Sequence, residues 1–498
     1  MGLMFDMELW SVIVLLIVTL CVVLVVRGWL DVPQNIPPFP VRPLPIVGHI
    51  PYMVDPRKTL MAWRKTAGDL FSVYLGSTLV VVISSYDLLR ETLVKQAEFF
   101  SERHPGGVMP ILKLPEGVVG SSGEVWKENR TLTLNLLRSF GMGKNEMAEN
   151  IIEEVSAYLG ELSKLSGRPL DPKDLTSRSV SNVICRFLIG KRYEYDDPAY
   201  ARLLVIYQDY VDLAKSSGLL HWFPNLKYLP GDFFSHKLLY RRFNEFTAFS
   251  DKLIQDVINN ENRDCNEDNF IASYLEEMEK RKTSGKPTHL STDNLNRCMA
   301  DLLTAGTETT TTTLLWFYLY MVHYPNIQEK IHREIERETG GSRLPSVADK
   351  AKMNFLHATI LEVQRISNVV PLSLLHRVSE DVTVRGYTIP KDTMIKPHLD
   401  AVHFDEKIWG DPHNFRPERF LNDKGDVVQS EHFLAFSLGR RMCVGEALAR
   451  MELFLFVAMT CQRFKITPVD PDQLPPLTDT MGLTYPPTAY QLKFVERR

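Results

Sequence analysis

The sequence predicts a mostly α-helical fold with small β-sheets, set behind one apolar N-terminal helix. Three observations predict it. Long stretches near residues 126–140, 199–215, 293–323 and 353–366 carry apolar residues at helical spacing. Only two patches, residues 71–83 and 382–397, are rich in β-branched and aromatic residues. Residues 9–26 form an uncharged, strongly apolar run.

That run has close to the length a helix needs to cross a bilayer. A cleaved signal peptide would have a basic segment before it and a small-residue cleavage site after it, whereas here Asp6 and Glu8 precede it and Arg27 follows. Residues 1–30 therefore read as an uncleaved membrane anchor, and the positive-inside rule places Arg27 and all that follows on the cytosolic side. Asn129-Arg130-Thr131 fits the glycosylation sequon, but a cytosolic domain never meets the lumenal transferase. Pro33, Pro37, Pro38, Pro40, Pro43 and Pro45 make residues 31–50 a stiff, extended hinge. The remainder, 51–498, reads as one catalytic domain.

Within that domain, FSVYLGSTLVVVI at 71–83 places two strand-like runs around Gly76-Ser77, a hairpin signal. Polar stretches at 259–269 and 281–289 read as solvated connections. Hydrophobic residues at 44%, charged residues at 24% and a formal charge of −4 give no sign of a disordered or nucleic-acid-binding chain. The six cysteines, Cys21, Cys185, Cys265, Cys298, Cys443 and Cys461, lack paired spacing, which argues against a disulfide framework or zinc site and fits a reducing compartment.

Only Cys443 has a chemical context. In FSLGRRMCVG, residues 436–445, it lies between Gly439 and Gly445, two residues after Arg441 and behind Phe436. An iron-bound sulfur must be a thiolate that approaches a porphyrin closely. Neighbours without side chains, a cation for a propionate and an aromatic shield all suit it. The bland alternative is a structural cysteine on a turn before a helix.

The loop matches Phe-x-x-Gly-x-Arg-x-Cys-x-Gly at every fixed position, and through it the chain resembles the cytochrome P-450 family of haem-thiolate monooxygenases. Three further motifs follow in the family's order: LLTAGTETT at 302–310, Glu362 and Arg365 in LEVQR, and FRPERF at 415–420. From the prolines near Pro37 onward the chain resembles a microsomal animal member. One departure lies in the hinge, where Phe39 stands in the place of a glycine usual after the paired prolines.

The resemblance implies haem b, iron protoporphyrin IX, with Cys443 as the axial thiolate. It assigns Glu308 and Thr309 to carrying protons and water toward dioxygen. Trp126 and Arg130, in a Trp-x-x-x-Arg pattern, Arg441, and His376 after VVPLSLL would serve the propionates. Glu362, Arg365 and Arg419 would form a buried structural group on the haem-loop side of the core; on a surface helix the first two would contribute only about 0.2–0.5 kcal/mol. The threonine run at Thr307 and Thr309 to Thr313 is unusual inside a helix, because β-branched hydroxyls lose freedom and can bond back to carbonyls. Ala305 and Gly306 either leave room over the iron or, in Gly306, serve close helix packing.

Substrate contacts fall in segments the family varies: 104–122, 216–223, 301–305, 369–375 and 481–485, all largely apolar. Leu219, Leu220, Trp222 and Phe223 fit either the pocket or a membrane-surface contact. The resemblance implies oxygen insertion into a lipophilic small molecule such as a steroid, fatty acid, terpenoid or xenobiotic. The domain would work at the endoplasmic reticulum membrane. No dinucleotide motif or flavin domain is evident, so electrons would come from NADPH–cytochrome reductase, with cytochrome b5 as a further partner. Lys127, Arg138, Arg440 and Arg450 offer cations for acidic partners or simply a solvated face. Two other readings stand beside monooxygenation: reductase-independent rearrangement of peroxides, against which Glu308 and Thr309 argue, and a membrane-tethered haem-binding or sensing protein without turnover.

Overall fold

The computed structural model describes residues 10, 12–20, 22–23, 33–104, 117–141, 145–216, 218–259 and 269–497. The chain divides into two compact units, one holding Met1–Ser101 with Leu374–His398 and the other Glu102–Ser373 with Leu399–Arg498.

The first unit contains helix α1 (Pro56–Ala67), whose N-cap Asp55 accepts from Lys58 N–H, and strands β1 (Leu70–Leu75) and β2 (Thr78–Ile83). The two strands form the antiparallel hairpin expected around Gly76, which has φ +62°. That left-handed value is one glycine adopts without a Cβ penalty. The second strand-rich patch forms β4 (Val382–Val384), β5 (Tyr387–Ile389) and β6 (Met394–Pro397), preceded by the two-residue β3 (His376–Arg377). One sheet runs β1-β2-β6-β3, with β6 parallel to β2, while β4 and β5 pair separately. In the hinge, Phe39 packs its ring 5.7 Å from His49 and 5.6 Å from Tyr74, so the side chain that replaces glycine is stacked against this unit.

The predicted N-terminal helix lies partly outside the described residues. Residues 10, 12–20 and 22–23 are helical with exposed apolar side chains, and among the described residues no helix is long and apolar enough to cross a membrane.

The second unit is helical. Its longer helices are α2 (Gly123–Ser139), α3 (Asn145–Lys164), α4 (Lys173–Ile189), α5 (Pro198–Ser216), α6 (His236–Ile258), α7 (Phe270–Thr283), α8 (Thr292–His323), α9 (Pro325–Thr339), α10 (Asn354–Ser367) and α11 (Glu446–Arg463). The four stretches with helical periodicity correspond to α2, α5, α8 and α10. Of the two polar connections, 260–268 lies outside the described residues, and α7 extends through Thr283 into the other. Strands β7 (Phe464–Pro468) and β8 (Leu492–Glu496) add an antiparallel pair that the apolar pattern did not reveal.

Helix α8 runs through the main core with α3, α4, α10 and α11, burying Leu314, Phe317, Tyr318, Phe454 and Phe456 among others. Its start is capped by Ser291, which accepts from Asn294 N–H, and it ends at His323, with Tyr324 as C-cap directly before Pro325. Helix α10 has the backbone N–H groups of Phe355 and Leu356 taken by the Glu334 carboxylate of α9, at 3.0 and 2.8 Å. These fixed helices hold many of the residues expected to have chemical roles.

Candidate active site

The loop at 436–445 turns sharply before α11. Ser437 and Gly439 have φ +62° and +79°, and Cys443 N–H donates back to the Phe436 carbonyl at 3.1 Å. Glycine relieves strain at Gly439. Gly445 is different: its φ of −93° suits any residue, and a Cβ there would meet nothing nearer than Cys443 Sγ, at 4.0 Å. Neither the backbone nor the packing requires glycine at this position, since that Cβ would make only an ordinary van der Waals contact with the sulfur.

Cys443 is exposed, whereas Cys185, Cys298 and Cys461 are buried. Its sulfur nevertheless sits deep enough among neighbouring atoms that burial pushes the thiol up, opposed by the Gly445 N–H and the Arg130 guanidinium and reinforced by Glu446. Bound metal is what converts such a thiol to thiolate.

Four groups converge behind this loop. Helix α2 puts Trp126 and Arg130 on one face, four residues apart. Arg130 Nη2 donates to the Met442 carbonyl at 2.6 Å, and Arg441 Nη2 donates to the Ser121 carbonyl at 2.6 Å. The Arg441 guanidinium lies 3.8 Å from the centre of the Trp126 ring, a cation–π distance. The Trp126 N–H is buried with no partner among the described residues.

The fourth group, Arg103, was not anticipated from the sequence. Burial lowers its pKa to about 10, with Arg130 adding repulsion. Arg441 is pushed down to about 8, first by burial and then by Arg103 and Arg130, with Glu102 opposing. Crowded, desolvated guanidiniums beside an orphaned N–H call for an anion. The donor set fits haem, which brings two propionates and an iron that takes one thiolate.

On α8 the threonines divide their hydroxyls. Thr309 donates to the Ala305 carbonyl at 2.7 Å and Thr313 to the Thr309 carbonyl at 2.8 Å. Thr310 reaches Glu452 of α11 at 3.1 Å, and Thr312 lies 3.2 Å from Thr484. Ala305 is exposed, whereas the rest of α8 from Asn294 to His323 is buried or half-buried. Gly306 is the packing residue: a Cβ there would come within 2.6 Å of Ile184 on α4, so helix contact explains it without any appeal to room over iron. Glu308 bonds not to Thr309 but to Tyr207 and Thr484, at 3.0 and 2.8 Å.

Glu362 and Arg365 are both fully buried and joined by two bonds, Nε to Oε2 at 2.8 Å and Nη2 to Oε1 at 2.9 Å. Arg419 Nε adds a third bond to Oε1 at 3.0 Å. Arg365 also donates to the carbonyls of His403 and Pro412, and Arg419 to those of Trp409, Asp411 and Asn414. The charges are paired and their N–H groups occupied, as burial requires. His376 is in the other unit, buried, with Nδ1 2.7 Å from the Phe100 carbonyl.

Two substrate expectations change. Asp301 is buried in an ion pair with Arg297 at 2.9 Å and accepts from Val119 N–H, so of 301–305 the exposed part is Ala305. Leu220 is fully buried and is no surface residue; the exposed apolar side chains there are Leu219, Tyr228, Leu229 and Phe233. Residues 105–116 of the first substrate segment lie outside the described residues.

A helical unit with a cysteine on a tight turn, the Arg130 guanidinium near its thiol and Arg441 over the Trp126 ring, fits a haem-thiolate oxidoreductase. The family model for cytochrome P450 matches residues 37–494. The chain is 38% identical to cytochrome P450 2U1 of Homo sapiens over 450 residues, covering 90% of this chain and 82% of that protein. It is 36% identical to cytochrome P450 2E1 of Oryctolagus cuniculus over 501 residues, covering 99% and 100%, and 37% identical to cytochrome P450 2B4 of the same species over 482 residues, covering 95% and 96%. The chain belongs to the cytochrome P450 family and is a monooxygenase.

Proposed function

We propose that this enzyme is an endoplasmic-reticulum monooxygenase that binds haem b through Cys443 and inserts one oxygen atom from O2 into a lipophilic small molecule. The observation that supports the site assignment is the tight turn carrying Cys443, backed by the Arg130 and Arg441 guanidiniums at the Trp126 ring, whose N–H has no partner among the described residues. Arg103, Arg130, Arg441 and Trp126 would take the propionates. Phe436 would shield the sulfur, and Gly439 makes the turn that presents it. The family resemblance adds His376 as a propionate donor. Glu362, Arg365 and Arg419 tie α10 to the segment leading into the loop.

Haem, when bound through a thiolate, supplies the O–O cleavage and the transfer of oxygen. The chain's own task is to hold the substrate and move protons. Thr309 and Glu308 would deliver protons from α8, close in sequence to the exposed Ala305. Electrons would come from NADPH through NADPH–cytochrome reductase, with cytochrome b5 as a further partner. Arg138 and Arg440 are exposed and offer cations for docking, as do Lys127, which also pairs with Glu124 at 2.6 Å, and Arg450, which also pairs with Glu446 at 2.8 Å. The run at 9–26 would anchor the domain on the cytosolic face, and exposed Leu219, Tyr228, Leu229 and Phe233 would give a second, weaker lipid contact.

The test is reconstitution in phospholipid vesicles with the reductase and NADPH, screening steroids, fatty acids, terpenoids and xenobiotics by mass spectrometry with 18O2. A product carrying one labelled oxygen and requiring the reductase is expected. Unlabelled, reductase-independent turnover of a lipid hydroperoxide would instead identify a peroxide-rearranging enzyme.

A further inference from the structure

Glu308 is held at both carboxylate oxygens by hydroxyls from distant parts of the chain. Tyr207 Oη, on α5, donates to Oε2 at 3.0 Å. Thr484 Oγ1, in the loop before β8, donates to Oε1 at 2.8 Å. Both donors are buried, at 3% and 1% exposure, while Glu308 is half-buried between them.

The Thr484 hydroxyl is itself fixed. It lies 3.2 Å from Thr312 Oγ1, and the carbonyl of the next residue, Tyr485, accepts from Trp316 Nε1 at 2.9 Å. Thr312 and Trp316 lie on the same helix as Glu308, so the loop is pinned to the element it serves. Burial and the nearby Glu308 carboxylate push the Tyr207 hydroxyl well above its ordinary range, which keeps it a donor. Thr309 takes no part, because its hydroxyl is given to the Ala305 carbonyl.

A carboxylate accepting one bond can still rotate about its remaining torsions; one accepting at each oxygen, from two directions, has a single orientation. We propose that Tyr207 and Thr484 are positioning residues that fix the Glu308 carboxylate for proton delivery. The proposal rests on the reading of Glu308 and Thr309 as the proton-carrying pair. It gives α5 a role in coupling through one hydroxyl that touches neither Thr309 nor the haem loop.

Two measurements on the holoprotein test it. The first is a thermal-unfolding cycle of Tyr207→Phe, Glu308→Ala and the double variant. Tyr207→Phe should lower the midpoint in the native background, and by less than half as much once residue 308 is alanine, because the partner is gone. Additive shifts would overturn the clamp. The second is the ratio of peroxide to product per NADPH. Tyr207→Phe and Thr484→Val should each raise it several-fold, and Thr484→Ser, which keeps a hydroxyl, should bring it back near the native value. An unchanged ratio in the first two, or an equal rise in Thr484→Ser, would overturn the positioning role. Thr309→Ala is the separate control on the underlying reading. If it leaves the ratio unchanged, the proton-carrying pair is wrong, while the unfolding cycle still decides whether the clamp exists.

Discussion

The guanidinium of Arg441 lies 3.8 Å from the centre of the Trp126 ring, and the N–H of that same indole is buried without a partner among the described residues. One aromatic side chain thus steadies a cation with its face and offers a donor at its edge. Both would suit an anion.

Trp126→Phe keeps a ring beneath Arg441 and deletes only the donor. A hydrogen bond to a charged group contributes about 1.5–3 kcal/mol, so haem transfer to apomyoglobin should speed by roughly ten- to a hundredfold. An unchanged transfer rate would contradict the propionate contact.

Arg365→Ala removes the fully buried partner of Glu362 and strands a carboxylate held otherwise by Arg419 and the Arg416 N–H. The expected loss is about 3–5 kcal/mol of stability, read as a fall in thermal midpoint and in the yield of haem-loaded protein. Arg365→Lys should recover only part of it, since one ammonium cannot replace the two bonds to Glu362 and those to His403 and Pro412. Native yield in the alanine variant would contradict the structural role.

These two cases show what a sequence can disclose. Residues 436–445 are legible because a turn, a cation and a sulfur must occur at fixed steps along one short segment, and Glu362 and Arg365 because three residues span one helical face. Arg103 and Tyr207 are not, because their meaning comes from partners far away in the chain, Glu308 lying 101 residues from Tyr207. Gly306 and Leu220 were legible as types but not by environment: only packing shows that Ile184 excludes a side chain at one and that the other faces inward. Glu452 left a faint mark, an acid within the apolar run ELFLFVAM.

That acid should govern part of the pH dependence of stability. Glu452 is buried, and burial raises its pKa from 4.5 to about 8 against the opposing bond from Thr310. Between those values the unfolded chain has lost the proton while the fold retains it, so stability falls as pH rises from about 4.5 to about 8 and levels off above. Glu452→Gln should flatten that slope in urea unfolding measured across the window. An unaltered slope would show that other groups control it.

Topology is open to a protease experiment but not to a glycan. Asn129 is fully buried, donating to the Val125 carbonyl at 2.9 Å and accepting from Tyr274 Oη at 2.8 Å, so the folded domain hides the sequon on either side of a membrane. In intact microsomes added protease should digest the domain beyond residue 30, leaving a short protected anchor. Full protection until detergent is added would reverse the proposed orientation.

The central claim is that Cys443 binds the iron as a thiolate, and the most direct measurement is the carbon-monoxide difference spectrum of the reduced protein. The native protein should show the red-shifted Soret band of thiolate ligation. Cys443→Ser should lose that band, and Cys461→Ser, which changes a buried thiol remote in sequence from the loop, should keep it. A thiolate band that survives Cys443→Ser would contradict the account.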